Sequence, residues 1–119
     1  MKIRLFLIVA MLSSCSADML NDDEYLDQVL RSAVRRAKLT ILSTHIKRFH
    51  PQGVTGIAVL GESHIAVHSW PEHGQLFIDI ATCSTRQSAS IAFQEILSHF
   101  PGGSVASYQE LEVASNSSS

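Results

Sequence analysis

Cysteine, basic runs and membrane-length apolar segments are all scarce in this chain, and each shortage narrows what it can be. The two cysteines, Cys15 and Cys83, stand far apart and form no CxxC pair, which argues against a zinc ribbon or redox dithiol and reads them as separate thiols. Nine Lys and Arg residues against eleven Asp and Glu give a formal charge of -2 with no long basic run, so no electrostatic footprint for nucleic acid is present. The apolar stretch of residues 3–12 is too short to span a bilayer as a helix. What is present, 119 residues of which 45% are hydrophobic and 17% charged, suits one compact domain around a single layered core.

The N-terminus admits two readings. Lys2 and Arg4 precede an apolar run that ends in Ser13, Ser14 and Cys15, the pattern of a short lipoprotein-type export signal with lipid anchoring at the cysteine. The same residues are rich in strand formers and read equally as a buried strand, which goes with a cytoplasmic location.

Further along, Asn21 and Glu24 have capping-box spacing, and Leu26, Val29, Leu30, Ala33, Val34 and Ala37 recur at three- and four-residue intervals, predicting an amphipathic helix. Arg31, Arg35, Arg36 and Lys38 near its end suit the helix dipole as a solvated face. A second helix is predicted over residues 85–99, stopped by Pro101, Gly102 and Gly103. Strands are expected over residues 39–49, 54–60, 64–70 and 75–82, separated by turns at Pro51-Gln52-Gly53 and Pro71-Glu72-His73-Gly74, with a weaker one over 105–111 and a disordered tail over 114–119. The fold class that follows is α+β, a two-layer sandwich of a mainly antiparallel sheet with two helices on one face. The uncovered face needs a partner, and a homodimer is expected.

The most informative stretch is Gly61-Glu62-Ser63-His64-Ile65-Ala66-Val67-His68-Ser69-Trp70-Pro71-Glu72. On an extended strand His64, Ala66, His68 and Trp70 share one face while Ile65 and Val67 take the other. A stripe of imidazoles and an indole calls for solvent, a partner surface or a site. His64, His68 and His73 do not make a metal set, because His73 lies beyond Pro71 and no carboxylate or thiol completes it.

This run resembles the processing site of the prokaryotic S-adenosylmethionine decarboxylases, Glu-Ser-His-x-x-x-His-x-Trp-Pro-Glu, with a downstream Thr-Cys matched by Thr82-Cys83. The segment His50-Pro51-Gln52-Gly53-Val54-Thr55-Gly56 resembles the one that precedes it, and the similarity extends from about Cys15 to Leu111. The resemblance implies a self-made cofactor. Ser63 attacks the preceding carbonyl, turning the Glu62 amide into an ester; His68 removes the Cα proton so that the ester eliminates, with Thr55 assisting; hydrolysis then leaves a covalent pyruvoyl group at residue 63. The products are a β chain, residues 1–62, and an α chain, residues 63–119. The pyruvoyl carbonyl takes the amine of an amino-acid-type substrate and draws off electrons as carbon dioxide leaves, and Cys83 returns a proton to carbon.

Taken alone, Ser63 is an ordinary strand serine, His68 a hydrogen-bonded structural histidine and Cys83 a small buried hydrophobe. The multi-part motif favours function for all three. Phe49 and Trp70 are core aromatics by default, and the family places aromatic rings near the substrate's adenine at their positions. Glu72 is by default a solvated carboxylate, and its match to the motif suggests a substrate contact. The chain departs from the family pattern at Leu5-Phe6-Leu7, where Gly-Arg-His is usual, at Met11, where an acid is expected, and at Gln75 and Ser84. The processing residues are kept while the substrate surroundings differ. The resemblance implies S-adenosylmethionine, whose product is the aminopropyl donor for spermidine, as the first substrate, and the changed surroundings keep ornithine or arginine as alternatives. An uncleaved homologue with a binding or regulatory role is the rival from another class.

Overall fold

The computed structural model describes residues 2–116. It contains six strands, β1 (Lys2–Ser13), β2 (Ile41–Arg48), β3 (Val54–Leu60), β4 (Ser63–Trp70), β5 (Gln75–Thr82) and β6 (Ser104–Asn116). The helices are α1 (Ala17–Leu20), α2 (Asp23–Arg36) and α3 (Arg86–Ser98). The strands form one sheet in the order β2-β3-β4-β5-β1-β6, with every neighbouring pair antiparallel. The expected α+β sandwich is the architecture found.

Strand alternation sets the two faces of the sheet. Ile8, Ala10 and Leu12, then Val54, Ala58 and Leu60, Ile65 and Val67, and Leu76, Ile78 and Ile80 are buried in one core with the helices. From α2 that core receives Leu26, Val29, Leu30, Ala33 and Val34, and from α3 Ala89, Ala92, Phe93 and Ile96. Each large apolar side chain so buried contributes about 1.5–3 kcal/mol. Among the described residues the opposite face carries no helix, and it keeps Ile57 and Val59 exposed.

Of the two N-terminal readings, the fold builds the strand: β1 lies between β5 and β6, with Ile8 opposite both Ile80 and Glu110. Met1 lies outside the described residues. Among those described, no helix is long and apolar enough to cross a membrane.

Three expectations shift. The cap of α2 is Asp22, whose side chain accepts from the Tyr25 amide at 3.0 Å, and Asn21 instead accepts from the Gly53 amide at 3.0 Å. The short α1, capped by Ser16, was not expected. The last strand is longer than the predicted 105–111: residues 114–116 of the expected disordered tail pair with Arg4, Ile3 and Lys2. Residues 117–119 lie outside the described residues.

Candidate active site

The predicted site residues fall into two groups at opposite ends of β4. At its start, β3 and β4 are joined by a two-residue turn, Gly61-Glu62, with Leu60 opposite Ser63. Ser63 has φ 144°. This conformation is unfavourable for a residue with a Cβ and costs on the order of 1–3 kcal/mol, so its surroundings must enforce it. They do so from several sides. Ser63 pairs with Thr82 on β5, and the next amide, that of Cys83, donates to the Glu62 carbonyl oxygen at 2.9 Å. The Glu62 carboxylate accepts from the Thr40 amide at 3.0 Å and from the Thr40 hydroxyl at 3.1 Å. The Gly61 amide donates to the Thr40 carbonyl at 2.9 Å. Thr82, fully buried, accepts from the Ser84 amide at 3.0 Å and so shapes the turn that presents the exposed Cys83.

A donor aimed at the Glu62 carbonyl matters chemically. A backbone N–H held at that oxygen stabilises negative charge developing there in any nucleophilic attack on the carbonyl carbon.

The second group sits at the far end of β4. Thr55 and His68 are cross-strand partners, with Thr55 Oγ1 and His68 Nδ1 3.0 Å apart. The imidazole also packs against Phe77, its partner on β5, at 5.9 Å between ring centroids. The contact orients the imidazole through Nδ1 and leaves Nε2 as the ring nitrogen that Thr55 does not engage. Phe49, Gln52, Gly53, Thr55, His68, Ser69, Trp70 and Glu72 line a pocket of about 380 Å³. Phe49 and Trp70 are 48% and 42% exposed, so neither is the core aromatic that composition suggests by default. Large rings left open beside a pocket suit stacking on a flat ligand.

The pocket has a rigid back. Ser69 is buried, donates to the Leu20 carbonyl at 2.7 Å and accepts from the Val54 amide at 2.9 Å. The Phe49 amide donates to the Gly53 carbonyl at 2.8 Å, and Asn21 holds the Gly53 amide. Gly53 has φ 105°, a conformation that glycine adopts without penalty.

The two groups do not meet within one chain. Ser63 and His68 are five residues apart on one extended strand, a rise of about 16 Å. The pairing of His68 with Ser63 that the motif implies is therefore not made in the single chain, and Thr55 stands beside His68 and not beside Ser63. Between the groups His64 Nε2 lies 3.3 Å from Asp79 Oδ2, a cross-strand contact on the uncovered face. Sequence reasoning missed Thr40, Ser69 and Asp79, and it read Asn21 as a helix cap. Only Asp79 carried a local sign, as a lone acid among the apolar residues of β5.

Comparison with known proteins bears on these residues. Residues 7–111 match the S-adenosylmethionine decarboxylase family. An S-adenosylmethionine decarboxylase proenzyme of Bacillus cereus is 38% identical over 89 residues, covering 75% of this chain and 68% of that one. The proenzyme of Aquifex aeolicus is 40% identical over 90 residues, 76% of this chain and 67% of its own. The crystal structure of the adenosylmethionine decarboxylase from Aquifex aeolicus is similar to this fold with a TM-score of 0.79 and 31% identity, covering 93% of this chain and 88% of that one.

Proposed function

The chain belongs to the S-adenosylmethionine decarboxylase family of carboxy-lyases, and from that premise we propose that it is a proenzyme that cleaves itself between Glu62 and Ser63 and decarboxylates S-adenosylmethionine. The observation that carries this reading is the junction itself, where a non-glycine residue at φ 144° follows a carbonyl that already accepts from the Cys83 amide.

The Ser63 hydroxyl attacks the Glu62 carbonyl carbon. The C–N bond breaks as the ester forms, and the Ser63 nitrogen is freed as an amine. Loss of the Ser63 Cα proton to a base expels the Glu62 carboxylate and leaves dehydroalanine, whose hydrolysis releases ammonia. The pyruvoyl group so made at residue 63 supplies an electron sink for decarboxylation. His68, oriented by Thr55, is the base for the Cα proton, and the Cys83 thiol returns a proton to substrate carbon. Phe49 and Trp70 hold the adenine by stacking, and Glu72 accepts from polar groups of the substrate.

Because His68 lies about 16 Å along the strand from Ser63, the base comes from a second copy. The uncovered face supports this arrangement. It carries Leu5, Leu7, Val9 and Met11 of β1, Ile57 and Val59 of β3, and Phe77 of β5, a broad apolar surface that a homodimer with stacked sheets removes from water. A two-fold axis perpendicular to β4 runs the two copies of that strand antiparallel and so brings the Gly61-Glu62-Ser63 end of one toward the His68 end of the other.

The protein is one domain before and after the cut. The β chain, residues 1–62, keeps β1, β2 and β3, and the α chain, residues 63–119, keeps β4, β5 and β6. Since β1 lies between β5 and β6, the two chains stay interleaved in one sheet.

Intact mass measurement of purified protein tests the proposal. Two fragments are expected, the second lighter by one ammonia than a fragment beginning with serine, together with carbon dioxide release from S-adenosylmethionine. A single uncut chain removes the self-cleavage reading, and turnover of ornithine or arginine in its place reassigns the substrate.

A further inference from the structure

We propose that Thr40 is a positioning residue for the cleavage at Ser63, acting through the side chain of Glu62; the inference rests on the self-cleavage reading above. Three tethers surround the scissile peptide. The Cys83 amide holds the Glu62 carbonyl, the Thr40 carbonyl holds the Gly61 amide, and Thr40 holds both oxygens of the Glu62 carboxylate, one through its amide at 3.0 Å and one through its hydroxyl at 3.1 Å. Two of the three therefore come from one residue, 22 positions away in the chain.

Thr40 is itself well fixed. Beyond the C-cap Ala37 of helix α2 stands Lys38 at φ 59°, the Lys38 amide donating to the Arg35 carbonyl at 3.1 Å and the Leu39 amide to the Val34 carbonyl at 3.0 Å. This closure of the helix end leads directly into Thr40. The next residue, Ile41, then pairs with Leu60, the residue just before the Gly61-Glu62 turn.

The consequence is directional. A two-residue hairpin turn free of side-chain tethers relaxes toward ordinary dihedrals, taking Ser63 away from φ 144° and its hydroxyl away from the Glu62 carbonyl carbon. Folding the carboxylate back onto Thr40 denies the turn that freedom. The contacts are solvent-exposed, so they contribute little to global stability while fixing the geometry at the bond to be broken.

The test follows cleavage of freshly refolded proenzyme by gel and intact mass. Thr40→Val keeps shape and backbone but removes the hydroxyl, and cleavage is expected to slow by about tenfold or more, the rate equivalent of one well-placed hydrogen bond. Thr40→Ser is expected to recover most of the lost rate. Glu62→Ala removes the other end of the clamp, and Thr40→Val is expected to add nothing further in that background. Wild-type cleavage with an undiminished rate in Thr40→Val overturns the role of Thr40 and leaves self-cleavage standing. Should Thr40→Val not fold, an undiminished rate in Glu62→Ala overturns it equally. Wild-type protein that never cleaves removes the underlying reading instead.

Discussion

Thr55 Oγ1 and His68 Nδ1 lie 3.0 Å apart on facing strands, while the serine this pair is expected to serve stands at the other end of β4. That separation makes the shared site testable. Ser63→Ala and His68→Ala proteins are each expected to remain uncut. Mixed as unfolded chains and refolded together, they form heterodimers in which the intact Ser63 of one copy meets the intact His68 of the other. Cutting of the His68→Ala chain alone is expected, at up to about a quarter of all sites for random pairing. No cutting in the mixture, with both variants folded and dimeric, rejects the shared site.

Cys83 touches the cleavage junction through its backbone amide, which donates to the Glu62 carbonyl at 2.9 Å. Its thiol is free and exposed. The two functions separate accordingly. Cys83→Ala keeps the amide and is expected to cut, whereas turnover of the processed protein falls by about 10²-fold or more with loss of its proton donor. Fragment yield and carbon dioxide release measure the two effects on one sample. An uncut Cys83→Ala protein shows that the side chain also takes part in processing.

Much of this arrangement was legible in the sequence because it is local. The alternation from Ser63 to Trp70 marks a strand with one apolar face, and Pro71 with Gly74 marks its end, so the placement of β4 and β5 needed no tertiary information. The capping of α2 was misread by one residue because Asn21 and Asp22 are both good caps, and the choice is made by the Gly53 amide, 32 positions away. Residues 114–116 look like a tail because they are small and polar, yet their partners are Lys2, Ile3 and Arg4 at the opposite end of the chain. The split of the site was hidden for a related reason. Five positions in sequence suggest neighbours, but on a strand they span about 16 Å. Thr40 gave no sign at all, since only the return of β2 alongside β3 brings it to Glu62.

Ser69 joins three elements behind the pocket, donating to the Leu20 carbonyl and accepting from the Val54 amide while buried. Ser69→Ala leaves both backbone groups without that partner. A destabilisation of about 1–3 kcal/mol is expected in chemical denaturation. Because Val54 follows the loop that carries Phe49, KM for the substrate should rise more than kcat falls. A stability change within error counts against this account of the pocket's rigidity.

The helix layer carries a pH-sensitive contact away from the site. The Ser32 hydroxyl donates to Glu95 Oε2 at 2.6 Å, and His99 Nε2 lies 3.0 Å from the same oxygen, tying α2 to the end of α3. The hydrogen bond from Ser32, then that from His99, hold the Glu95 carboxyl below the usual glutamate range, with the charges of His99 and Arg36 adding to the effect. As pH falls, the unfolded chain therefore takes up this proton before the folded one does. The contribution to stability is complete above the unfolded value of about 4.3 and is lost as pH falls through the lower folded value. Solvent screening at this partly exposed carboxylate keeps the contribution small. Urea denaturation of wild type and Glu95→Gln is expected to show wild type the more stable at pH 7 and the difference shrinking toward pH 3. An equal difference at both pH values means that the titration of Glu95 does not contribute to holding the helices together.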